Sequence, residues 1–184
     1  MHHLLIVTRN FNTEIIQPMI LAIDVHYKGA LAKVVGAFFE PKAAKAVQYI
    51  TTNINGVDEY VPGEFYKREL PCILKLLEKV ELGKLDAIII DGNVFINNNG
   101  DFGLGGRLWE SIDHKVAVIG VAKSLFKNTE DKVIEIQRGK SEKHLFVSSI
   151  GIDLAAAASL IHNMHGEYRL PSILKEVDRL TKEA

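Results

Sequence analysis

Two short segments of the sequence are apolar from end to end, and they restrict the possible folds more than any other feature. Ala87–Ile90 reads Ala-Ile-Ile-Ile, and Val116–Ala122 carries no polar side chain. A strand that is apolar on both faces is typical of a parallel sheet with helices packed on either side of it. The sequence therefore predicts buried strands at Leu85–Ile90 and Lys115–Val121, in a sheet covered by helices.

The residues before these segments predict three strands joined by short connections. Ile20–Tyr27 is mostly β-branched and apolar, and Lys28-Gly29 makes a tight turn into a second strand at Ala30–Glu40. Ala43–Thr52 offers a third strand after the proline that ends the second. Consecutive strands with short turns favour an antiparallel meander.

The helices are predicted from the helical spacing of apolar residues. One helix is expected over Glu64–Val80, which Pro71 should kink or interrupt. Gly151–Met164 is predicted as a core helix, and Ser172–Lys182 as an amphipathic helix with Ser172 as its N-cap. Shorter elements are expected at Leu4–Val7 (strand), Thr13–Gln17 (helical turn), Lys132–Gln137 (strand) and His144–Ser149 (strand). The predicted class is α/β or α+β, with a mixed sheet flanked by helices.

Length and composition are those of an ordinary globular protein. The chain has 184 residues, of which 47% are hydrophobic, so we expect a single domain with one core. A lone Cys72 excludes an internal disulfide framework and fits a reducing compartment. No apolar segment reaches the roughly 18 residues of a membrane-spanning helix, and the first residues lack the pattern of a secretory signal. We therefore expect a cytoplasmic protein.

The overall charge of the chain is close to zero. Its 22 Lys and Arg residues stand against 23 Asp and Glu residues, a formal net charge of −1. A chain of this kind does not grip nucleic acid through bulk positive charge. Tight, sequence-blind binding to nucleic acid is therefore not expected.

Three acidic residues stand where an ionised side chain is locally unfavourable. Asp24 interrupts an apolar strand, Asp91 ends a buried one, and Glu69 lies on the predicted helix. A buried, ionised carboxylate is costly unless it is paired or bound to a metal. Asp24 and Asp91 would together hold Mg²⁺ or Mn²⁺, with Glu69 orienting a water, acting as a ligand or acting as a base. The alternative is that Asp91 belongs to a turn and Glu69 is a solvated helix acid.

Several short motifs occur in the same order as in one known family: Ala22–Val25, Tyr60–Gly63 with Arg68-Glu69, Asp91-Gly92, Ile119–Ser124 and Tyr168–Pro171. The chain resembles endonuclease V, a family of inosine-directed nucleases with an RNase H-like fold, over about residues 20 to 171. The resemblance implies one RNase H-like domain over residues 1–184, in which an antiparallel meander is followed by parallel strands.

The resemblance implies an acidic catalytic centre. Asp24 and Asp91 would be ligands of Mg²⁺, for which Mn²⁺ can substitute, and Glu69 would complete the cluster by holding the metal through water. Lys123 would lie beside the reacting phosphate and stabilise its developing negative charge. Asp153 falls where the family has another active-site acid, although an acid at that place is also typical of a helix N-terminus.

The resemblance also implies a substrate-binding surface. Tyr60, Pro62 and Gly63 match the family's wedge, a loop that enters the duplex and separates its strands around the lesion. Gly92 and Gly120 would line the base pocket, where a missing side chain lets backbone groups approach the flipped base. The alternatives are a simple turn entering a helix for the wedge motif, and burial alone for the strand around Gly120.

The sequence departs from the family at positions near this centre. Asn97-Asn98-Asn99 stands where the family has His-Pro-Arg, and Val94 replaces a glycine. Asn97 can hydrogen-bond a phosphate or a water, but it cannot shuttle a proton near neutral pH as histidine can. Gly100–Gly106 is predicted as an elongated loop beside the site, and its glycines do not fit a nucleotide-binding spacing.

The leading hypothesis is a Mg²⁺-dependent endonuclease that cuts on the 3′ side of a deaminated purine, inosine or deoxyinosine, in DNA or RNA. Such an enzyme would serve nucleic-acid repair or processing, and we expect it to be a monomer. One alternative is a catalytically weakened relative that binds nucleic acid, because the His-Pro-Arg residues are missing. Another is an α/β binding protein in which Asp24 is structural and Asp91 belongs to a turn.

Overall fold

A seven-stranded mixed sheet forms the centre of the structure. The structure is a computed structural model, and it describes residues 18–57 and 65–183. The strand predicted at Leu4–Val7 and the turn predicted at Thr13–Gln17 lie outside the described residues. The strands are β1 (Ile20–Lys28), β2 (Leu31–Phe39), β3 (Gln48–Asn55), β4 (Ala87–Asp91), β5 (Ala117–Ala122), β6 (Ile134–Ile136) and β7 (Leu145–Ile150).

The order of the strands across the sheet is β3-β2-β1-β4-β5-β7-β6. The first three strands form an antiparallel meander. β4 then pairs in parallel with β1, and β5 pairs in parallel with β4. β7 and β6 complete the sheet in antiparallel pairing. The predicted mixed sheet, a meander followed by parallel strands, is confirmed.

In the described part of the chain, four α-helices cover the two faces of the sheet. α1 and α2 pack on the face that carries Ile88 and Ile90, whereas α3 and α4 pack on the face that carries Ile89. All residues of Ala87–Ile90 are buried because their side chains enter the two cores alternately. None of these helices has the length and apolar character needed to cross a membrane. The helices are α1 (Phe65–Leu77), α2 (Leu104–Ser111), α3 (Leu154–Asn163) and α4 (Ser172–Lys182).

The third strand is displaced along the chain from its predicted position. β3 begins at Gln48 instead of Ala43. The N–H of Ala43 donates to the carbonyl of Glu40 at 2.9 Å, so the chain first makes a turn. Ala43 and Ala46 then rest against the core, and strand pairing resumes only where Gln48 lies opposite Phe38.

The loop predicted at Gly100–Gly106 is wrong in its second half, because α2 begins at Leu104. Leu104 and Leu108 are buried one helical turn apart against the core under α1. A Cβ at Gly106 would lie 2.4 Å from the ring of Phe102. The glycine therefore reflects close packing around a helix, not a flexible connection.

The interruption predicted at Pro71 and the N-cap predicted at Ser172 are not observed. α1 continues through Pro71 without interruption. Ser172 is the first residue of α4, and Pro171 occupies the N-cap position. Ser172 is displaced from that position because its N–H donates to the carbonyl of His165 at 2.8 Å, and its hydroxyl lies 3.0 Å from the His165 ring.

The loop after β4 is held against β5 by close packing at Gly120. A Cβ at Gly120 would lie 2.5 Å from the carbonyl oxygen of Gly92 and 2.8 Å from the hydroxyl of Ser148. The same hydroxyl accepts a hydrogen bond from the N–H of Val94 at 3.0 Å. The missing side chain at Gly120 thus allows β5, β7 and the loop after β4 to meet.

We expect Gly120→Ala to lower the free energy of unfolding by about 1–3 kcal/mol, because an added methyl group overpacks this junction. Urea denaturation followed by circular dichroism measures the change. Gly83→Ala is the matched control, because no atom lies within 4 Å of a Cβ built there, and its effect should stay below about 0.5 kcal/mol. Equal losses in the two variants would contradict the packing assigned to Gly120.

Candidate active site

Asp24 and Asp91 occupy adjacent positions on two neighbouring strands. β1 and β4 run parallel, and Ile23 lies opposite Ile90. The next residue of β1 is Asp24 and the next residue of β4 is Asp91, so the two aspartates lie side by side. Ile23 and Ile90 face the core under α1 and α2. Because side chains alternate along a strand, both carboxylates point to the opposite face, on which α4 packs.

These two carboxylates share a cavity of about 590 Å³ with three further charged side chains. Glu69 enters it from α1, Lys123 follows the end of β5, and Asp178 comes from α4. The cavity lies at the carboxyl ends of β4 and β5. In sheets with parallel strands, ligand-binding sites commonly lie at this edge. Four acids and one lysine therefore meet at one place in the fold.

Glu69 is buried, with 7% of its surface exposed. Burial raises the pKa of its carboxyl to about 9, and the charges of Asp24 and Asp91 add to this effect, while Arg68 opposes it. The protein by itself therefore favours the protonated form of Glu69 at neutral pH.

Asp24 is half-buried and is also harder to ionise than an ordinary aspartate. Burial raises its pKa to about 6, and the charges of Asp91 and Asp178 contribute in the same direction. The hydroxyl of Thr181 donates to Asp24 Oδ2 at 3.3 Å. That hydrogen bond ties α4 to the centre of the site.

Lys123 is paired with one of the acids. Its Nζ lies 2.9 Å from Asp91 Oδ2. Burial alone would lower the pKa of Lys123, but the hydrogen bond and the charge of Asp91 outweigh it and raise this pKa. The lysine therefore stays protonated at neutral pH.

The backbone of Lys123 is held by the segment after α3. Its carbonyl accepts a hydrogen bond from the guanidinium of Arg169. The segment that carries Arg169 is fixed in turn by the buried Arg138, whose guanidinium donates to carbonyls between residues 162 and 169. Two arginines outside the cavity thus position the lysine inside it.

Asp178 belongs to the cavity although no sequence motif predicted it. Its carboxylate accepts from the Nζ of Lys182 at 2.7 Å, within α4. The sequence contains one signal for it. Asp178 lies four residues after Leu174 and three before Thr181, so it shares the inner side of the amphipathic helix with them. An acid on that side faces the sheet.

Asp153 lies away from this cavity. Its Oδ2 accepts from the N–H of Ala156 at 2.9 Å, which makes it the N-cap of α3. β7 runs antiparallel to β5 with Ile150 opposite Val118, so α3 begins at the edge where β5 starts, whereas Lys123 follows the other end. The structure supports the capping role for Asp153 and does not bring it to the acidic cluster.

Of the residues predicted to contact substrate, Gly92 lines the cavity, and Gly120 and Asn97 do not. Gly92 lines the cavity, whereas Gly120 is buried behind the Gly92 carbonyl. Asn97 is engaged in its own loop, where its amide donates to Asp101 Oδ2 at 2.6 Å and its oxygen accepts from the Asp101 N–H at 3.2 Å. The residues predicted to form the wedge lie outside the described part of the chain: Tyr60, Pro62 and Gly63.

The donor set suits a hard divalent cation with few protein ligands. Mg²⁺ commonly takes one or two carboxylates and completes its shell with water and phosphate oxygens. Asp24 and Asp91 supply such a pair. Within residues 18–57 and 65–183, no three His, Cys, Asp or Glu side chains are arranged to bind one ion together. A bound cation would also relieve the like-charge repulsion that raises the pKa of Asp24.

A family model matches nearly the whole chain. It is the model of endonuclease V, and it matches residues 2–179. No curated protein sequence is similar enough to this chain to count as a match.

Solved structures share the fold at low sequence identity. Human ENDOV has a TM-score of 0.70 at 20% identity, covering 90% of this chain and 83% of that one. Endonuclease V of Ciona intestinalis, in complex with DNA containing an inosine, has a TM-score of 0.72 at 22% identity, covering 90% and 84%. The Streptomyces avermitilis endonuclease V has a TM-score of 0.70 at 20% identity, covering 90% and 80%. These similarities confirm the predicted RNase H-like fold.

We expect Asp24→Asn to stabilise the protein at pH 8 in the presence of a chelator. Folding raises the pKa of Asp24 from 3.8 to about 6, so between about pH 4 and pH 6 the folded protein binds more protons than the unfolded chain. Ionised Asp24 therefore costs stability as the pH rises through this range. An uncharged amide avoids that cost, and the variant should gain about 1–3 kcal/mol at pH 8 and lose the gain below about pH 4.

Urea denaturation from about pH 3.5 to about pH 8, a range that extends beyond both ends of the titration window, measures the difference in unfolding free energy between wild type and variant. Glu142→Gln, at an exposed acid, is the control and should follow the wild type at every pH. A pH-independent difference between Asp24→Asn and wild type would contradict the assigned shift.

Proposed function

Because the chain belongs to the endonuclease V family, we propose that it is a metal-dependent endonuclease. Its target is a phosphodiester bond on the 3′ side of a deaminated purine, inosine or deoxyinosine, in DNA or RNA. One observation carries the proposal: Asp24 and Asp91 lie side by side in a cavity with Lys123 and Glu69. All four come from one chain, so we further propose a single-domain enzyme that acts as a monomer.

Asp24 and Asp91 would hold the metal ion, which is Mg²⁺ with Mn²⁺ as a substitute, and Glu69 would reach it through water. When bound, the ion supplies positive charge that polarises the phosphodiester and favours ionisation of water. Asp178 faces the same two carboxylates from α4 and adds to the negative field that attracts a cation.

Side chains of the protein orient the attacking water and stabilise the charge that develops on the phosphate. Glu69, fixed on α1 at the back of the cavity, orients the attacking water. The water oxygen bonds to phosphorus as the bond from phosphorus to the 3′ oxygen breaks. The attacking water loses one proton and the 3′ oxygen takes one up, which leaves 3′-hydroxyl and 5′-phosphate ends. Lys123, kept protonated beside Asp91, stabilises the negative charge that develops on the phosphate.

The choice of inosine is supported by a relative and by the backbone around the cavity. The Ciona intestinalis structure contains DNA with an inosine. In this chain Gly92 lines the cavity, and Gly120 leaves room for the Gly92 carbonyl behind it. We propose that this backbone contacts the flipped base, and that Tyr60, Pro62 and Gly63 form the wedge.

Asn97 favours a second candidate, a weakened relative that binds inosine-containing nucleic acid with little cleavage. Its amide is engaged with Asp101, so it does not replace the family's histidine at the phosphate. Loss of a group that orients the phosphate reduces the rate more readily than it abolishes metal binding. The two candidates share a substrate and differ in turnover.

We expect the protein with Mg²⁺ to nick a duplex that contains one deoxyinosine or a single-stranded RNA that contains one inosine. EDTA should abolish the nick. Asp24→Ala should lower the rate by about a thousandfold or more, because the site loses one of its two adjacent carboxylates. Denaturing gel electrophoresis of end-labelled substrates measures incision, and Glu142→Gln should match the wild type.

The same assay separates the alternatives. Binding of either substrate without incision, in Mg²⁺ and in Mn²⁺, would select the weakened relative. A protein that neither binds these substrates nor gains thermal stability from Mg²⁺ would contradict both candidates and favour an α/β binding protein of another kind.

We expect Asp178→Asn to raise the Mg²⁺ concentration needed for half-maximal incision by about tenfold, because one negative charge facing the aspartate pair is lost. Glu176→Gln is the matched control. Glu176 precedes Asp178 on the same helix, pairs with Arg179, and is not among the residues that line the cavity. An unchanged Mg²⁺ requirement in Asp178→Asn would exclude Asp178 from the centre.

A further inference from the structure

The last residues of β1 carry polar side chains away from the reaction cavity on one face of the sheet. Ala22, on the same strand, packs in the core under α3 and α4. Because side chains alternate along a strand, Asp24, His26 and Lys28 project on that same face. His26 is exposed and lines the cavity that holds Asp24, and Lys28 is exposed beyond it. The surface of β1 therefore leads from the cavity to the end of the strand.

The same face continues across the other two strands of the meander. Lys33 of β2 lies opposite His26, and Asn53 of β3 lies opposite Lys33. Leu31 of β2 lies opposite Lys28. Directly paired residues project on the same side of a sheet, so these side chains form one surface about 10 Å wide, which is two strand spacings. We call this surface the open face; it consists of His26, Lys28, Leu31, Lys33 and Asn53.

α4 ends where the open face begins. The last turn of this helix reaches Asp24 through the hydroxyl of Thr181. The ammonium of Lys33 donates to the carbonyl of Glu183 at 2.9 Å, which uses one of its three N–H donors. Lys33 is half-buried by this contact, whereas the other four residues of the open face are exposed, including the apolar Leu31. The open face is therefore accessible to a partner.

The open face is positively charged, in contrast to the cavity next to it. β2 and β3 contain no acidic residue, and β1 contains none after Asp24. Lys28 and Lys33 supply two positive charges, and His26 and Asn53 supply N–H donors. A nucleic-acid backbone presents the opposite set, because its phosphates are negatively charged and their oxygen atoms accept hydrogen bonds. The charge and the donors of this surface therefore suit phosphates.

We propose that the open face binds the sugar-phosphate backbone of the substrate strand where that strand extends beyond the cavity. Lys28 and Lys33 pair with its phosphates, His26 and Asn53 donate hydrogen bonds to them, and Leu31 packs against a sugar. At duplex spacing, a width of about 10 Å accommodates about three nucleotides. The occupant is the substrate strand because the open face is continuous with the cavity through His26. This inference rests on the function proposed above.

The test is a double variant, Lys28→Gln with Lys33→Gln, which removes both charges and keeps polar side chains of similar length. The probe is a fluorescent inosine-containing oligonucleotide that extends beyond the cavity on both sides of the inosine. We expect its Kd to rise about tenfold, and the slope of log Kd against log salt concentration to fall by about 1–2, because two phosphate contacts are lost. Fluorescence anisotropy in EDTA, which prevents incision, measures both quantities.

The matched control is Lys42→Gln with Lys45→Gln. This double variant removes the same amount of charge from two exposed lysines that follow β2. β2 ends at Phe39, opposite Ile20, so these lysines lie at the other end of the strands. The Kd of the control should stay within about twofold of the wild-type value, because only the total charge of the protein changes.

Two results would overturn the assignment. The first is a wild-type Kd in Lys28→Gln with Lys33→Gln, and the second is an equal rise of Kd in both double variants, which would reflect total charge alone. If loss of the contact with Glu183 lowers the unfolding midpoint of the double variant, Lys28→Gln alone decides. That single variant should raise Kd about threefold, and a wild-type Kd there would remove Lys28 from the substrate.

This experiment also separates the open face from the proposed function. If the wild type incises and Lys28→Gln with Lys33→Gln binds as tightly as the wild type, the inference about the open face fails and the proposed function stands. If the wild type binds without incision, the proposed cleavage fails, and the Kd values still decide the role of the open face. If the wild type does not bind the oligonucleotide, both fail.

Discussion

The parallel pairing of β1 with β4 is the constraint on which the rest of the site depends. With Ile23 opposite Ile90, the next two residues are aspartates held side by side. A shift of one residue would send one of the carboxylates to the other face of the sheet. The two cores fix the register, because the residues of Ala87–Ile90 are buried in them alternately. Apolar packing therefore sets the geometry of a charged site.

Placing these carboxylates together lowers the stability of the fold, because each of them makes ionisation of its neighbours less favourable. Glu69 and Asp24 both have raised pKa values because burial and like charge oppose their ionisation. Lys123 offsets part of the repulsion through its contact with Asp91. Unfavourable groups that gather at one cavity are characteristic of functional sites, where the surrounding fold supplies the stability.

The parts of the structure that depend on local sequence could be predicted from it. Continuous apolar runs identified β4 and β5, and the order of the motifs predicted that Glu69 and Lys123 lie near the two aspartates, where the structure places them. The parts that depend on distant contacts could not. The glycines of α2 concealed a helix because the reason for Gly106 is the ring of Phe102, which only the fold places against it. Asp178 joins the site only because α4 crosses β1, and no spacing relates it to Asp91.

Because α4 follows all the strands in the sequence, it is synthesised after them and packs against them last. The strands that carry Asp24 and Asp91 are synthesised well before α4, which brings Val177 to the core and Thr181 to Asp24. While the ribosome is still making α4, only α3 covers that core, and Asp24 lacks the hydroxyl of Thr181. Docking of α4 therefore closes this core and brings Asp178 and Thr181 to Asp24 at the same time, so assembly of the acidic cluster is coupled to burial of the last apolar side chains.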